Sequence, residues 1–208
     1  MINLFIDTAN TDLVIAVTDN DKILYLYDEV NDTNLSIKLV PELKKALDNT
    51  NVKPNEIDNI YIVDGPGSFT GTRMGVTVAK TWAWALKKKV IPVSELEVMA
   101  STKVDTDYIL PMIDARHEHV YAGLYDKVGN VIIEGQYISI KELLTKLPKD
   151  KTITIVSNDD FNLGYESIKP NKNIMMIIKR HENDLGVNPH KLNPNYLKKT
   201  EAEENLCK

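Results

Sequence analysis

Three apolar runs joined by short polar turns open the chain, before any helical pattern. The runs are "INLFID" (2–7), "LVIAVTD" (13–19) and "KILYLYDEV" (22–30), joined by "TANTD" and "DND". Strand-like runs with such short polar connections predict an antiparallel meander. The N-terminal part of the chain is therefore predicted to be a three-stranded sheet.

A helical period follows the meander. In "TNLSIKLVPELKKALDN" (33–49) a leucine recurs every fourth residue from Leu35 to Leu47, which predicts a helix with one apolar stripe. Pro41 lies inside this run. Because proline cannot donate a helical hydrogen bond, the helix either begins near Val40 or is longer and kinked.

Helices and strands alternate in the next part of the chain. The strand "NIYIVD" (59–64) leads into a glycine-rich loop, a helix predicted from Arg73 to Lys88, the strand "VIPVS" (90–94) and a short helix in "ELEVMASTK" (95–103). The order β-β-β-α-β-α-β is that of the ribonuclease H-like fold and its actin/Hsp70-like relatives. We therefore predict an α/β protein with a mixed sheet, a βββαβα N-terminal half and a second α/β half.

The second half of the chain is less regular. We predict a helix in "IKELLTKL" (140–147) and an extended segment from "DLGVNPHK" (184–191) onward. A change of composition near "STKVDTD" (101–107) suggests two domains, 1–104 with the partner-binding helices and 105–208. The predicted strands of this half are "YILPMID", "VYAGLYD", "NVIIEGQYIS", "TITIVS" and "IMMIIKR".

Composition and charge narrow the class of protein. The chain has 208 residues, 43% of them hydrophobic, and a net charge of −5, which excludes a strongly basic nucleic-acid-binding chain. No basic segment precedes the first apolar run, and no run of about 18 apolar residues could span a bilayer. With Cys207 as the single cysteine, we expect a cytoplasmic protein without membrane contact.

The stretch "IVDGPGSFTGTRMGVTVAK" (62–80) concentrates glycines between a strand and a helix. Glycines allow tight turns, a serine or threonine can cap the helix, and free N–H groups at a helix start attract anions. The loop lacks the "GK[ST]" ending and the "GxGxxG" spacing of nucleotide-binding loops. A structural turn and an anion site therefore both stay open. The candidate anion or nucleotide contacts, within a complex, are Gly65, Gly67, Ser68, Thr70, Gly71 and Arg73.

The helix after this loop is apolar around most of its circumference. Small residues recur every fourth position at Gly75, Ala79 and Ala83, which would let another helix approach closely. The helix is either buried in its own domain or exposed to a partner. On the second reading, two copies of the chain pack through this row. The predicted partner interface comprises Leu39, Leu43, Leu47, Met74, Gly75, Val78, Ala79, Trp82 and Ala83.

Aspartates end several predicted strands. Asp7 and Asp64 close the first and fourth strands, which are neighbours in a ribonuclease H-like sheet, and Asp114 closes a later strand. Two close carboxylates suit two-metal chemistry, so an autonomous Mg²⁺-dependent phosphoryl-transfer enzyme is an alternative. His117 and His119 would share a strand face, a weak metal signal.

Motifs along nearly the whole chain resemble the bacterial TsaB family. That resemblance implies an inactive relative of the ligase TsaD, with an actin/Hsp70-like fold and no catalytic residues of its own. It implies a non-catalytic subunit that activates threonylcarbamoyl transfer to adenosine 37 of tRNA. The expected partners are a TsaD-like ligase, a TsaE-like ATPase and tRNA through the complex, with a homodimer when the chain is alone. The motifs are "LFIDTANT" (4–11), "LVPEL" (39–43), "GPGSFTGTRMGVTVAK" (65–80), "DARHEHVYAGLYD" (114–126) and "PNYLKK" (194–199).

Two departures from the ligase pattern bear on cofactors. TsaD holds a metal through "HxxxH" on a helix, and the corresponding segment here, "NLSIKLVPELKKA" (34–46), has no histidine. Thr8 stands where an actin-type phosphate loop has glycine, which also argues against a sugar-kinase-like ATP binder. We therefore expect no metal and no nucleotide on the chain alone, with ATP and a divalent metal in the partner subunits or at their interface.

Overall fold

The computed structural model describes residues 1–30 and 34–198. They form two compact units. The first comprises Met1–Glu95 and Asn173–Asn195, and the second comprises Leu96–Lys172 with the described residues after Asn195. The predicted division at residue 104 differs from these bounds, because the chain changes unit after Glu95 and later returns to the first unit.

The helices and strands alternate as the sequence predicts for most of the chain. Single-turn 3-10 helices lie at Pro54–Glu56 and Pro189–Lys191. Among the described residues no helix is long and apolar enough to cross a membrane. In chain order the elements are β1 (Ile2–Asp7), β2 (Asp12–Asp19), β3 (Lys22–Val30), α1 (Leu35–Thr50), β4 (Asn59–Gly65), α2 (Phe69–Leu86), β5 (Lys89–Ser94), α3 (Glu95–Ala100), β6 (Tyr108–Asp114), β7 (His119–Asp126), β8 (Val131–Ser139), α4 (Ile140–Lys146), β9 (Ile153–Val156), β10 (Glu166–Ile168) and α5 (Ile174–Arg180).

The first unit contains a five-stranded sheet in the order β3-β2-β1-β4-β5. β1, β2 and β3 form the predicted antiparallel meander, and β4 and β5 run parallel to β1. Leu4 and Ile6 of β1 pack with Ile62 of β4 in a buried core that also takes in side chains of α1 and α2. This arrangement confirms the predicted actin/Hsp70-like, ribonuclease H-like α/β fold.

α1 begins before Val40, one of its two predicted starts, and α2 begins before its predicted start at Arg73. α1 begins at Leu35 and continues through Pro41, so the longer-helix alternative is confirmed. Ile37, whose carbonyl has no donor at Pro41, is 70% exposed, so water can reach this turn. α2 begins at Phe69, one turn before the predicted start, because the Ser68 side chain caps it.

The second unit contains a five-stranded sheet in the order β10-β9-β6-β7-β8. β6, β9 and β10 are parallel, and β7 and β8 complete an antiparallel hairpin beside β6. Leu143 of α4 packs in one buried cluster of this unit, and Leu96 and Met99 of α3 pack in another. The predicted α/β second half is therefore confirmed.

One predicted strand is wrong, and one short strand escaped prediction. "IMMIIKR" forms α5 in the first unit, because Ile174, Ile177 and Ile178 lie at helical spacing and all three are buried. The Asn173 side chain caps this helix. β10 has only three residues, too few for a visible apolar alternation.

Candidate functional site

The turn after β1 and the glycine-rich loop after β4 meet at the carboxyl edge of the first sheet. The Ser68 N–H donates to the Ala9 carbonyl at 2.6 Å, and the Thr8 hydroxyl donates to the Gly71 carbonyl at 2.7 Å. The Asp7 carboxylate accepts from the Ala9 N–H at 2.9 Å. Hydrogen bonds therefore join the two loops directly.

Three glycines make this contact possible. A Cβ on Gly67 would lie 1.9 Å from the Ala9 carbonyl oxygen, and one on Gly71 would lie 2.1 Å from the Thr8 carbonyl oxygen. A Cβ on Gly75 would lie 2.2 Å from the Thr8 hydroxyl oxygen. Only glycine permits such approaches. The glycines thus serve packing against Thr8 and Ala9.

The remaining candidate anion contacts differ in their surroundings. Ser68 accepts a hydrogen bond from the Gly71 N–H at 3.2 Å, so both groups are used in capping α2. Thr70 and Arg73 are exposed, and the Arg73 guanidinium lies 3.7 Å from the centroid of the Phe69 ring. An anion contact within a complex stays a prediction, with Thr70 and Arg73 offering the accessible side chains.

The tight approach of Gly65 to the C-terminal part of the unit fixes the other end of the loop. Gly65 has φ 121°, and a Cβ there would lie 2.9 Å from the Asn195 carbonyl oxygen. The Asn195 N–H donates in turn to the Asp64 carbonyl at 2.7 Å. The loop is therefore held against two separate segments of its own unit.

The two aspartates of the metal hypothesis are not partners in the sheet. The parallel pairing of β1 with β4 ends at Ile6 with Ile62, before either aspartate, and the register of β4 is irregular between Val63 and Gly65. Asp7 is fully buried, while burial raises the pKa of the Asp64 carboxyl to about 7. The described residues include no group of three or more acids, histidines or cysteines that could hold a metal.

The histidine pair also differs from its prediction. His119 begins β7, but His117 lies before the strand and has φ 53°. The two histidines therefore do not share one face of a strand. The His119 Nδ1 lies 2.7 Å from the His117 carbonyl oxygen. Asp114 is exposed at the end of β6, where it accepts from the Arg116 N–H at 2.9 Å.

The predicted small-residue seam on α2 is wrong, because this row faces the core of its own unit. Ala79 and Ala83 are at most 1% exposed, and Gly75 approaches Thr8 and Ile62. The row lets α2 lie close to the sheet. Buried in the same core are Leu39, Leu43 and Leu47 of α1, whereas Met74, Val78 and Trp82 are half-buried against it.

A different face of these helices is open. A groove of about 600 Å³ lies between the C-terminal part of α1 and α2, and its apolar walls include Val40, Leu47 and Trp82. Val40 is 55% exposed, and Ile37 beside it is more exposed still. The predicted interface residues of α1 are the stripe leucines Leu39, Leu43 and Leu47, so they do not include Ile37 and Val40. Both are apolar at helix positions outside the leucine stripe, where polar residues are expected, and this pattern indicates an exposed apolar surface.

Comparison with known proteins relates the chain to a protein family and to a known fold. The chain matches the family model "TsaD: tRNA N6-adenosine threonylcarbamoyltransferase" over residues 29–203. A solved structure described as an uncharacterized protein from Pseudomonas aeruginosa with similarity to peptidase YEAZ covers 95% of this chain and 99% of that chain, with a TM-score of 0.79 and 21% identity. The family model relates the chain to TsaD, and the solved structure shows that the two chains share a fold.

Curated relatives identify the member of this class. The TsaB protein of Bacillus subtilis is 33% identical over 161 residues, covering 75% of this chain and 70% of the relative. The TsaB protein of Buchnera aphidicola is 28% identical over 173 residues, covering 80% of each. The chain belongs to the TsaB family, as its motifs predict. Both relatives carry the name tRNA threonylcarbamoyladenosine biosynthesis protein.

Proposed function

We propose that this chain is the non-catalytic subunit that pairs with a TsaD-like ligase and activates threonylcarbamoyl transfer to adenosine 37 of tRNA. Its family membership supports a role in tRNA threonylcarbamoyladenosine biosynthesis. The single observation that carries the pairing is the open apolar groove on the outward side of α1 and α2.

The groove has the composition of a protein interface. Its apolar side chains Val40, Leu47 and Trp82 lie between charged residues that include Lys44 and Lys53. An apolar centre with a polar rim is the usual anatomy of a specific interface. A ligase of related fold would present an equivalent pair of helices, so the two chains could pack with pseudo-two-fold symmetry. Two copies of this chain would use the same face when the ligase is absent.

We assign the nucleotide and the metal to the partner subunits or their interface. The direct contact between Thr8–Ala9 and the glycine loop supports this assignment, because hydrogen bonds and close packing already use the backbone of the loop. α1 has no histidine to supply the metal ligands that the ligase carries on its helix. A TsaE-like ATPase and tRNA then join through the complex, and the chain alone is expected to have no transferase activity.

Size-exclusion chromatography with light scattering tests the pairing. The purified chain mixed with its TsaD-like ligase at micromolar concentration should elute as a heterodimer, and it should raise the ligase's rate of threonylcarbamoyl transfer. Val40→Arg places a charge in the groove at a position 55% exposed, so it should remain folded and elute separately from the ligase.

The matched control is Val128→Arg in the second unit. Val128 is 68% exposed and lies far along the chain from the groove residues, so this variant should pair and stimulate like the unmodified chain. Separate elution of the unmodified chain and the ligase would contradict the proposal. Normal pairing by Val40→Arg would show that the groove is not the interface.

A further inference from the structure

Aromatic rings gather on one face of the hairpin formed by β7 and β8. The His119 ring stacks on the Tyr137 ring, with centroids 4.9 Å apart and planes 14° apart. The Tyr121 ring lies 5.7 Å from Tyr137, its direct partner across the strands. The Lys198 ammonium lies 5.2 Å from the centroid of the Tyr137 ring. All four side chains are partly exposed, so this aromatic cluster is accessible.

A left-handed turn precedes His119 at the same edge of the sheet. Arg116, His117 and Glu118 have φ values of 65°, 53° and 58°, a conformation that side chains other than glycine rarely adopt. All three are exposed. Consecutive strained residues persist only where surrounding structure fixes them, and they concentrate at functional sites.

Hydrogen bonds hold this turn in place. The His119 N–H donates to the Arg116 carbonyl at 3.1 Å, and the Ile140 N–H donates to the Glu118 carbonyl at 2.9 Å. The Asp114 carboxylate accepts from the Arg116 N–H. The turn therefore fixes the backbone of Arg116 beside the aromatic cluster rather than leaving it in a loose loop.

The cluster lies at the carboxyl ends of β6 and β8. β6 ends at Asp114, and β8, which runs in the same direction across the intervening β7, ends at Ser139 opposite His119. Ligands of α/β proteins bind at the carboxyl ends of such strands. This edge thus combines partly exposed aromatic rings with the ammonium of Lys198, and the exposed Arg116 lies in the turn that precedes His119.

We propose that this edge binds an unpaired nucleotide of RNA. The base packs against the exposed part of the stacked His119–Tyr137 pair, and its phosphate lies near the Lys198 ammonium. Aromatic rings combined with cations are the usual recognition chemistry for single-stranded nucleic acid. The choice of RNA over a free nucleotide rests on the proposed function, while the stacking site itself does not. With a net charge of −5 the contact is local and salt-sensitive.

Fluorescence anisotropy of the full chain, without the ligase, tests this site. The probe is a fluorescein-labelled single-stranded RNA octamer of adenosine. Replacing the stacking ring in Tyr137→Leu should weaken binding about tenfold, whereas Tyr137→Phe keeps the ring and should bind like the unmodified chain. Lys198→Ala should reduce the slope of log affinity against log salt by about 0.7. Glu118→Gln, which removes a nearby negative charge, should tighten binding.

Lys149→Ala is the control, because Lys149 is an exposed lysine of the same unit at the opposite end of the strands. It should reduce affinity far less than Lys198→Ala. Absence of octamer binding, or equal affinity of Tyr137→Leu and Tyr137→Phe, would overturn the proposal. Adenosine monophosphate binding as tightly as the octamer would overturn the assignment to RNA. Pairing of Tyr137→Leu with the ligase, measured separately, reports on the proposed function alone.

Discussion

The Thr8 hydroxyl donates a hydrogen bond to the Gly71 carbonyl at 2.7 Å, which joins the turn after β1 to the first turn of α2. Thr8 is 1% exposed, and its own carbonyl lies where a side chain on Gly71 would have to go. The contact explains why glycine is needed along α2 without any bound phosphate. It also makes this junction sensitive to single added atoms.

Gly71→Ala should destabilise the protein, although alanine is the better helix former. The new Cβ would lie 2.1 Å from the Thr8 carbonyl oxygen, so backbone must move. We expect the free energy of unfolding to fall by about 1–3 kcal/mol in urea titrations. Thr70→Ala, on the exposed side of the same turn, should change it by less than about 0.5 kcal/mol. If Gly71→Ala had the same free energy of unfolding as the unmodified chain, the close packing of Gly71 against Thr8 would be contradicted.

Ser68→Ala should remove the cap of α2. The Ser68 hydroxyl accepts the Gly71 N–H, a group with no partner inside the helix. Loss of this bond should cost about 1 kcal/mol of unfolding free energy. Ser68→Asp supplies another capping side chain and should recover most of the loss, whereas equal stability of Ser68→Ala and the unmodified chain would rule out the capping role.

Ala79→Arg should unfold or strongly destabilise the chain rather than produce a folded monomer. Ala79 is fully buried against the sheet, so the guanidinium would enter an apolar core. The expected loss is at least about 4 kcal/mol, visible by circular dichroism. Thr77→Arg, exposed on the same helix, should keep the native melting temperature within a few degrees. If Ala79→Arg had the circular dichroism spectrum of the unmodified chain, the row of small residues on α2 would be exposed rather than buried in the core.

Asp64 should make stability depend on pH. Burial raises its pKa to about 7 from a usual value of 3.8, so the folded state favours the neutral acid. The unfolded chain ionises first as pH rises, and stability should therefore fall between about pH 4 and pH 7 and then level off. Asp64→Asn removes this dependence and should stabilise the protein at pH 8, by up to about 4 kcal/mol.

Urea titrations at pH 4 and pH 8 measure this effect. The difference between Asp64→Asn and the unmodified chain should be small at pH 4 and large at pH 8. Asp150→Asn, on an exposed turn, is the control and should show no such difference. A variant less stable than the unmodified chain at pH 8 would mean that the Asp64 carboxylate is favoured, not penalised, by folding.

Strand and helix order could be predicted from β1 to α3 because the patterns of this part of the chain are local and strong. Apolar runs such as "LVIAVTD" predict strands without reference to the rest of the chain, and the motifs indicate the family. The sequence predicts a strand at α5, because seven mostly apolar residues fit the strand and the helix periodicity equally well. The Asn173 cap and burial on one helical side decided it, and both depend on the surrounding unit.

What the sequence determined by itself was the class: the order of elements, the glycine positions and the family. Only the tertiary structure decided which face of each helix meets the core and which is exposed. Helical spacing shows that Gly75, Ala79 and Ala83 share a face, but a small face suits a sheet as well as a partner helix. Contact with Thr8 and Ile62 assigns it to the core, and the exposed side falls to residues such as Val40. Local spacing fixes which side chains lie together, whereas long-range packing fixes what they lie against.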